Sequence, residues 1–179
     1  MIVIDDFLPQ DKFLLLKNTM ESDDFPWLFK NEINYSKDKK VLYKSQYIHM
    51  FECIDNQYNS IYHDLVKPII TFLAPEKVIR VKSNSLPKTK KVLRCGWHTD
   101  NKFHLSYSAV YYVNTNDGYT EFKNGIKINS VGNKLAIFES DVIHSATTCT
   151  NDKRRIVINF VFHASDQTNV NISNYYANL

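Results

Sequence analysis

The chain has 179 residues, of which 44% are apolar and 23% charged, a balance that excludes disorder as the main state and suits one well-packed domain better than two. The formal net charge of +3 is too small to point to a nucleic-acid partner by itself. With only 4 glycines a Gly-rich phosphate loop is excluded, and no apolar run approaches the roughly 18 residues of a membrane span.

The start, Met1-Ile2-Val3-Ile4-Asp5-Asp6, lacks the basic residues and long apolar stretch of a secretory signal. Cys53, Cys95 and Cys149 form neither a CxxC pair nor an even disulfide framework. Both features predict a reducing, cytoplasmic compartment without a membrane anchor. Asp5 to Pro9 reads as a strand end running into a helix, with Phe13, Leu14, Leu16 and Met20 at helical spacing and Pro26-Trp27 as the stop. A second helix is expected over about 57–73, with Ile61, Leu65, Ile69 and Phe72 on one face and a kink at Pro68.

Strand signals gather from Tyr43 and dominate after Val78, over 78–84, 105–114, 119–122, 126–131, 134–138, 142–147 and 154–163. Turn residues separate them, among them Asn116-Asp117-Gly118, Lys123-Asn124-Gly125 and Gly132-Asn133, which tolerate positive φ. The expected fold class is mainly β with flanking α: an antiparallel jelly roll, or double-stranded β-helix, with N-terminal helices packed on one sheet. One domain is expected, with helical support over about 1–75 and a core over about 78–163. The polar residues after Gln167 read as a loose tail.

In extended chain His98-Thr99-Asp100 puts His98 and Asp100 on the same side, so that one imidazole nitrogen and one carboxylate oxygen reach a common ion. His144, at the start of a predicted strand, is a distant third ligand of the kind a neighbouring strand supplies. Two imidazoles and one carboxylate leave three positions open on an octahedral ion, the donor set of non-haem Fe(II) oxygen chemistry. Zinc more often takes four tetrahedral ligands. Arg154 opens the run to Phe160 and shares a strand face with Ile156 and Ile158. A guanidinium among inward apolar residues requires an anion, and its planar fork suits a carboxylate. Arg155, on the other face, reads as solvated.

Together these residues resemble the 2-oxoglutarate- and Fe(II)-dependent dioxygenases, most nearly the prolyl-4-hydroxylase-like group. The resemblance covers about 78–162, with a weaker echo in Ile4-Asp5-Asp6-Phe7-Leu8-Pro9. Val110-Tyr111-Tyr112-Val113-Asn114 is similar to the family's YYLN-type strand, which makes Tyr112 a co-substrate contact. Asp117 to Phe122 is similar to its GGxTxF hairpin, with Asp117 where glycine is common. Asn84 lies on the strand before His98, where the family often places a polar co-substrate contact. The hydroxyl residue that often follows the family's Arg or Lys is missing, since Ile156 and Ile158 stand in its place.

The resemblance implies Fe(II) held by His98, Asp100 and His144. It implies 2-oxoglutarate bound through Arg154, Tyr112 and Asn84, O2 as the second co-substrate, and ascorbate as a further candidate. The implied reaction hydroxylates a C–H bond of a prolyl residue, another amino acid, a peptide or a small molecule, with release of succinate and CO2. Asp100 favours hydroxylation over halogenation, because halogenating members lack that carboxylate. The alternative is a metal-binding jelly roll without redox activity, serving as an interaction module. A zinc hydrolase lacks an acid or base placed beside the ligands. The other histidines, His49, His63, His104 and His163, read as packing or surface residues, with His49 the first candidate for an exception because a strand there could border the site. The runs Lys37-Lys39-Lys40 and Lys88-Lys90-Lys91 read as solvated loops. Arg80, Lys82 and Arg94 form a candidate basic rim for an acidic peptide or a nucleic acid, a partner class that is open but not favoured. Substrate identity stays open among free proline, a prolyl peptide, another amino acid and a nucleobase, as does the oligomeric state.

Overall fold

The computed structural model describes residues 1–31, 43–53, 58–101 and 105–177; His104 and the first lysine run lie outside them. The chain begins with β1 (Ile2–Ile4), α1 (Gln10–Glu21), β2 (Leu28–Lys30), β3 (Gln46–Cys53) and β4 (Tyr58–Asn59). A 3-10 turn (His63–Leu65) leads into α2 (Lys67–Leu73). Then follow β5 (Pro75–Pro87), β6 (Ser106–Tyr112), β7 (Tyr119–Phe122), β8 (Lys127–Asn129), β9 (Lys134–Glu139), β10 (His144–Ala146), β11 (Arg154–Ala164) and α3 (Asp166–Ala177).

The strands form two antiparallel sheets. The larger runs β1-β9-β6-β11-β5-β3-β2, with β4 on β3, and the smaller runs β10-β7-β8. Val110, Tyr112, Ala136, Phe138 and Val157 of the large sheet pack against Phe122 and Ile128 of the small one, with Val142 of the β9–β10 turn beside them. The opposite face of the large sheet presents Tyr111, Ile137, Ile156, Ile158, Phe160 and Phe162 to Leu16 and Met20 of α1, Ile69 and Leu73 of α2, and Ile172 of α3. This is the expected jelly roll with helices on one sheet. Among the described residues no helix is long and apolar enough to cross a membrane, and the three cysteines are free thiols.

Beyond β2 and β4, which are strands in the segment read as helical support, two elements differ from expectation. Pro68 does not kink a long helix; it stands in the first turn of α2, where its missing N–H costs nothing, and so starts a shorter one. The residues after Gln167 are a helix. Their polar side chains cap it and tie it down. Thr168 N donates to Ser165 Oγ at 3.2 Å and Ser165 N to Thr168 Oγ1 at 3.0 Å, a reciprocal N-terminal cap. Thr168 Oγ1 also donates to Leu73 O at 2.7 Å and Asn171 Nδ2 to Phe72 O at 2.7 Å, closing the free carbonyls of α2.

Asn133 locks the N-terminal segment to the sheet. It is buried at φ 66°, a left-handed conformation that asparagine tolerates better than most residues. Its Oδ1 accepts from Leu8 N and from Tyr111 Oη, both at 2.8 Å, and its Nδ2 donates to Leu8 O at 2.8 Å. Asn133→Ala leaves these groups unpaired and strains the backbone, so it should cost about 3 kcal/mol or more. For a chain of this size the melting temperature should fall by roughly 6 °C or more. A thermal melt within 2 °C of wild type would contradict this reading.

Candidate active site

The segment before β6 runs beside β10 and supplies two candidate ligands. His98 N donates to His144 O and His144 N to His98 O, both at 2.9 Å, so the two residues form a hydrogen-bonded antiparallel pair. Their side chains emerge on one face, with ring centroids 4.4 Å apart. Asp100, two residues on, joins that face. His98 Nε2 lies 3.9 Å from Asp100 Oδ1 and His144 Nε2 lies 3.6 Å from Asp100 Oδ2. One potential ligand atom from each of the three residues falls within 4.8 Å of the others.

Surrounding groups orient the triad. His144 Nδ1 donates to Val142 O at 2.9 Å and His98 Nδ1 to Gly96 O at 3.3 Å. Carbonyls only accept, so these contacts select the tautomer whose Nε2 lone pair faces inward. Asp100 Oδ2 accepts from Ser108 Oγ at 2.7 Å and Asn159 Nδ2 at 3.0 Å. Burial pushes the Asp100 carboxyl up, but the two imidazoles and these hydrogen bonds outweigh it and hold it below the usual range. Burial, reinforced by His144 and opposed by Asp100, pulls His98 down to about 4.

The triad lines a cleft of about 570 Å³ between the two sheets, with Arg80, Lys82, Asn84 and Leu86 of β5 and Arg155, Val157 and Asn159 of β11 along its floor. Arg155, not Arg154, is the guanidinium in this cleft. It is 1% exposed. Its Nε donates to Ser130 Oγ at 2.6 Å and its Nη2 to Thr120 Oγ1 at 3.1 Å. Buried Nη1 has no hydrogen-bond partner among the described residues. Arg154 points to the helical side, where Nη2 donates to Glu21 O at 2.9 Å at the end of α1 and the guanidinium lies 5.6 Å from the Trp27 ring. The expectation for the pair is therefore reversed, because both faces of β11 are buried and the apolar neighbours of Arg154 belong to the helix-side core.

Tyr112 is fully buried beneath Arg155, 5.6 Å from its guanidinium, and donates its hydroxyl to Thr120 Oγ1 at 2.8 Å. It supports the arginine and is absent from the cleft lining. Asn84 does line the cleft. His49 does not border it; the ring is bonded to Pro26 O at 3.1 Å and Ser60 Oγ at 2.8 Å and packs on Phe25 and Phe51. Arg94 is not among the residues that line the cleft; it lies 3.8 Å from Glu121 and over the Trp97 ring. Arg80 and Lys82 line the cleft, the Arg80 side chain being 32% exposed. Burial and the neighbouring Arg80 pull Lys82 down to about 8, with Asp100 opposing.

No protein-family model matches the chain, and no curated protein matches it by sequence. Solved structures match it over nearly its whole length. A Pseudomonas putida prolyl-4-hydroxylase aligns over 92% of this chain and 92% of its own, at 17% identity and a TM-score of 0.58. The non-haem α-ketoglutarate-dependent epimerase SnoN of nogalamycin biosynthesis aligns over 91% and 77%, at 8% identity and a TM-score of 0.63. The chain has the fold of the 2-oxoglutarate and Fe(II) oxygenases. A prolyl hydroxylase from Trichoplax adhaerens, solved with a hypoxia inducible factor peptide fragment, aligns over 94% and 86%, at 15% identity and a TM-score of 0.59. Within that fold, the HxD and His144 pattern closes into one cluster here.

With no metal bound, the His98 imidazole stays neutral to about pH 4, whereas an unfolded histidine titrates near 6.5. Protons therefore bind the unfolded chain first. This contribution to stability is complete above about pH 6.5 and is lost as pH falls toward 4. The melting temperature of metal-free protein should drop across that window, and His98→Gln should flatten that part of the curve. Identical curves for the two proteins would contradict a neutral His98.

Proposed function

We propose that this protein is an Fe(II)- and 2-oxoglutarate-dependent oxygenase that hydroxylates a C–H bond of an amino acid, a peptide or a small molecule, prolyl substrates included. The observation that carries the reading is that two inward imidazole nitrogens, a carboxylate and the Arg155 side chain line one cleft, and that the buried Nη1 of Arg155 has no hydrogen-bond partner among the described residues. The two nitrogens and one carboxylate oxygen fit a ferrous ion with open positions. A buried cation with a spare N–H fits the far carboxylate of 2-oxoglutarate. When bound, the metal and co-substrate supply the oxidation in which C–H, O2 and 2-oxoglutarate become C–OH, succinate and CO2.

The chain's own contribution is placement. The Gly96 and Val142 carbonyls hold the rings, while Ser108 and Asn159 keep Asp100 anionic and fixed. Thr120 and Ser130 aim Arg155, and Tyr112 packs beneath it. Val110, Ala146 and Val157 give the cleft apolar wall segments.

Protein supplied with Fe(II), O2 and 2-oxoglutarate should release succinate slowly even without substrate. His144→Ala should reduce this more than about 100-fold. Succinate release that survives His144→Ala would refute the assignment.

The two arginines separate in their effects. Arg155→Met should raise the KM for 2-oxoglutarate by about thirtyfold or more, the cost of an unpaired carboxylate. Arg154→Met should leave that KM within about threefold, since only the helix-end and Trp27 contacts on the helical side are lost, and lower the melting temperature by roughly 2–6 °C. A large KM effect at Arg154 and none at Arg155 would restore the opposite assignment.

A further inference from the structure

The cleft holds more positive charge than the proposed chemistry uses. Three cations, Arg80, Lys82 and Arg155, and one carboxylate, Asp100, line it. A divalent ion and a dianionic co-substrate together add no net charge, metal-bound imidazoles are neutral, and Arg155 offsets Asp100. Arg80 and Lys82 are left over. Arg80 approaches Asp100 only at 3.7 Å through Nη2, and its Nε is buried without a hydrogen-bond partner among the described residues. Lys82 is half-buried, opposed by Arg80, and favoured only by the same Asp100. Two cleft-lining cations, with the Arg80 side chain 32% exposed and Lys82 half-buried, thus share one carboxylate that a metal would also neutralise, which leaves positive charge for a further anion to meet.

That anion is not the co-substrate. Residues 80, 82, 84 and 86 share the cleft face of β5, and Arg155 pairs across the sheet with Leu86. Four residues of strand, roughly 13 Å at 3.3 Å each, separate that position from Lys82. A five-carbon dicarboxylate anchored at Arg155 and reaching the triad does not extend over both cations beyond it.

We propose that the substrate is a small molecule bearing one carboxylate or phosphate, which is seated between Arg80 and Lys82 with the reacting C–H bond between that anion and the triad. This rests on the oxygenase reading and narrows it. Arg80 stands 3.7 Å from a candidate metal ligand, so the anionic group lies only a few bonds from the reacting carbon. A nucleic-acid backbone or an acidic chain needs a basic track across the mouth instead. Beside the Trp97 ring that lines the cleft, Arg94 and Lys123 both stack on that ring, and Arg94 and Lys127 both approach Glu121, so these cations already have partners.

The test follows succinate release by wild-type protein saturated with Fe(II) and 2-oxoglutarate. The panel comprises the standard free amino acids, their carboxamides, sugar and nucleoside monophosphates with the dephosphorylated partners, a prolyl peptide, an acidic peptide and a single-stranded oligonucleotide. At least one acid or phosphate should raise release about tenfold, and its uncharged counterpart should not; which of the two stimulates separates carboxylate from phosphate. In parallel, calorimetry on Zn(II)-loaded protein saturated with 2-oxoglutarate measures the affinity for the same panel without turnover. There, Lys82→Met and Arg80→Gln should bring the charged-to-uncharged affinity ratio down from tenfold or more toward one, and Lys82→Arg should restore most of it. Equal response to charged and uncharged partners, response to the peptides or the oligonucleotide alone, or a ratio unchanged in both folded variants overturns the proposal. Wild-type protein that releases no succinate under any condition refutes the oxygenase reading instead, and the calorimetric ratio then decides the anion site by itself.

Discussion

β11 is hydrogen-bonded along its length to β5 on one side and β6 on the other, and its side chains alternate between two buried faces. Ile156, Ile158, Phe160 and Phe162 fill the helix-side core. Arg155, Val157 and Asn159 form the cleft floor. The core side fixes the register: a slip of one residue would drive Arg155 and Asn159 among the helices and expose four large apolar groups to the cleft. Burying those apolar groups, at about 25 cal/mol per Å², is thus what holds a guanidinium and an amide on the cleft side. Asn159 then reaches Asp100, and Arg155 reaches Thr120 and Ser130.

The triad is set by backbone pairing of the segment around His98 with β10. Cys95 N donates to Ala146 O at 2.9 Å and Thr148 N to Leu93 O at 2.9 Å, so the His98–His144 pair sits within a longer antiparallel contact. The side-chain period of two then carries Asp100 to the same face as His98. Asp100 N also donates to Ser140 O at 3.0 Å, which turns the chain into position. The ligand geometry is therefore preset by main-chain bonds, and Asn159 and Ser108 need only aim the carboxylate.

The triad was legible in the sequence because it depends on local parity and on residue types with few other buried uses. The arginine was not, because Arg154 to Phe162 offers apolar residues to both faces and gives no inward or outward alternation. A weaker signal was present. Asn159 has the parity of Arg155, and a buried amide in an otherwise apolar strand marks the polar side. The C-terminal helix was hidden in a similar way. Its propensity is poor, and what stabilises it is the Ser165–Thr168 cap and contacts with α2 that lie far apart in sequence. Strand positions from β5 to β11 were readable because turn residues bound each one. Whether a strand faces helices or cleft is a tertiary property.

The hairpin glycine shows how tightly the arginine is fitted. A Cβ on Gly118 would stand 2.6 Å from Arg155 Cδ and 2.8 Å from Thr148 O, so any side chain there would push the guanidinium stem out of place. The position before it carries no such constraint. Asp117 points outward and accepts from Thr150 N at 2.7 Å and from the Thr150 hydroxyl, while its own N–H donates to Asn151 Oδ1. These bonds brace the turn that leads into β11. Of the two residues at the start of the hairpin, only Gly118 has to be small. Asp117 uses the space available to it to fix the segment from which Arg155 enters the sheet, so the departure at Asp117 leaves the arginine's seat intact.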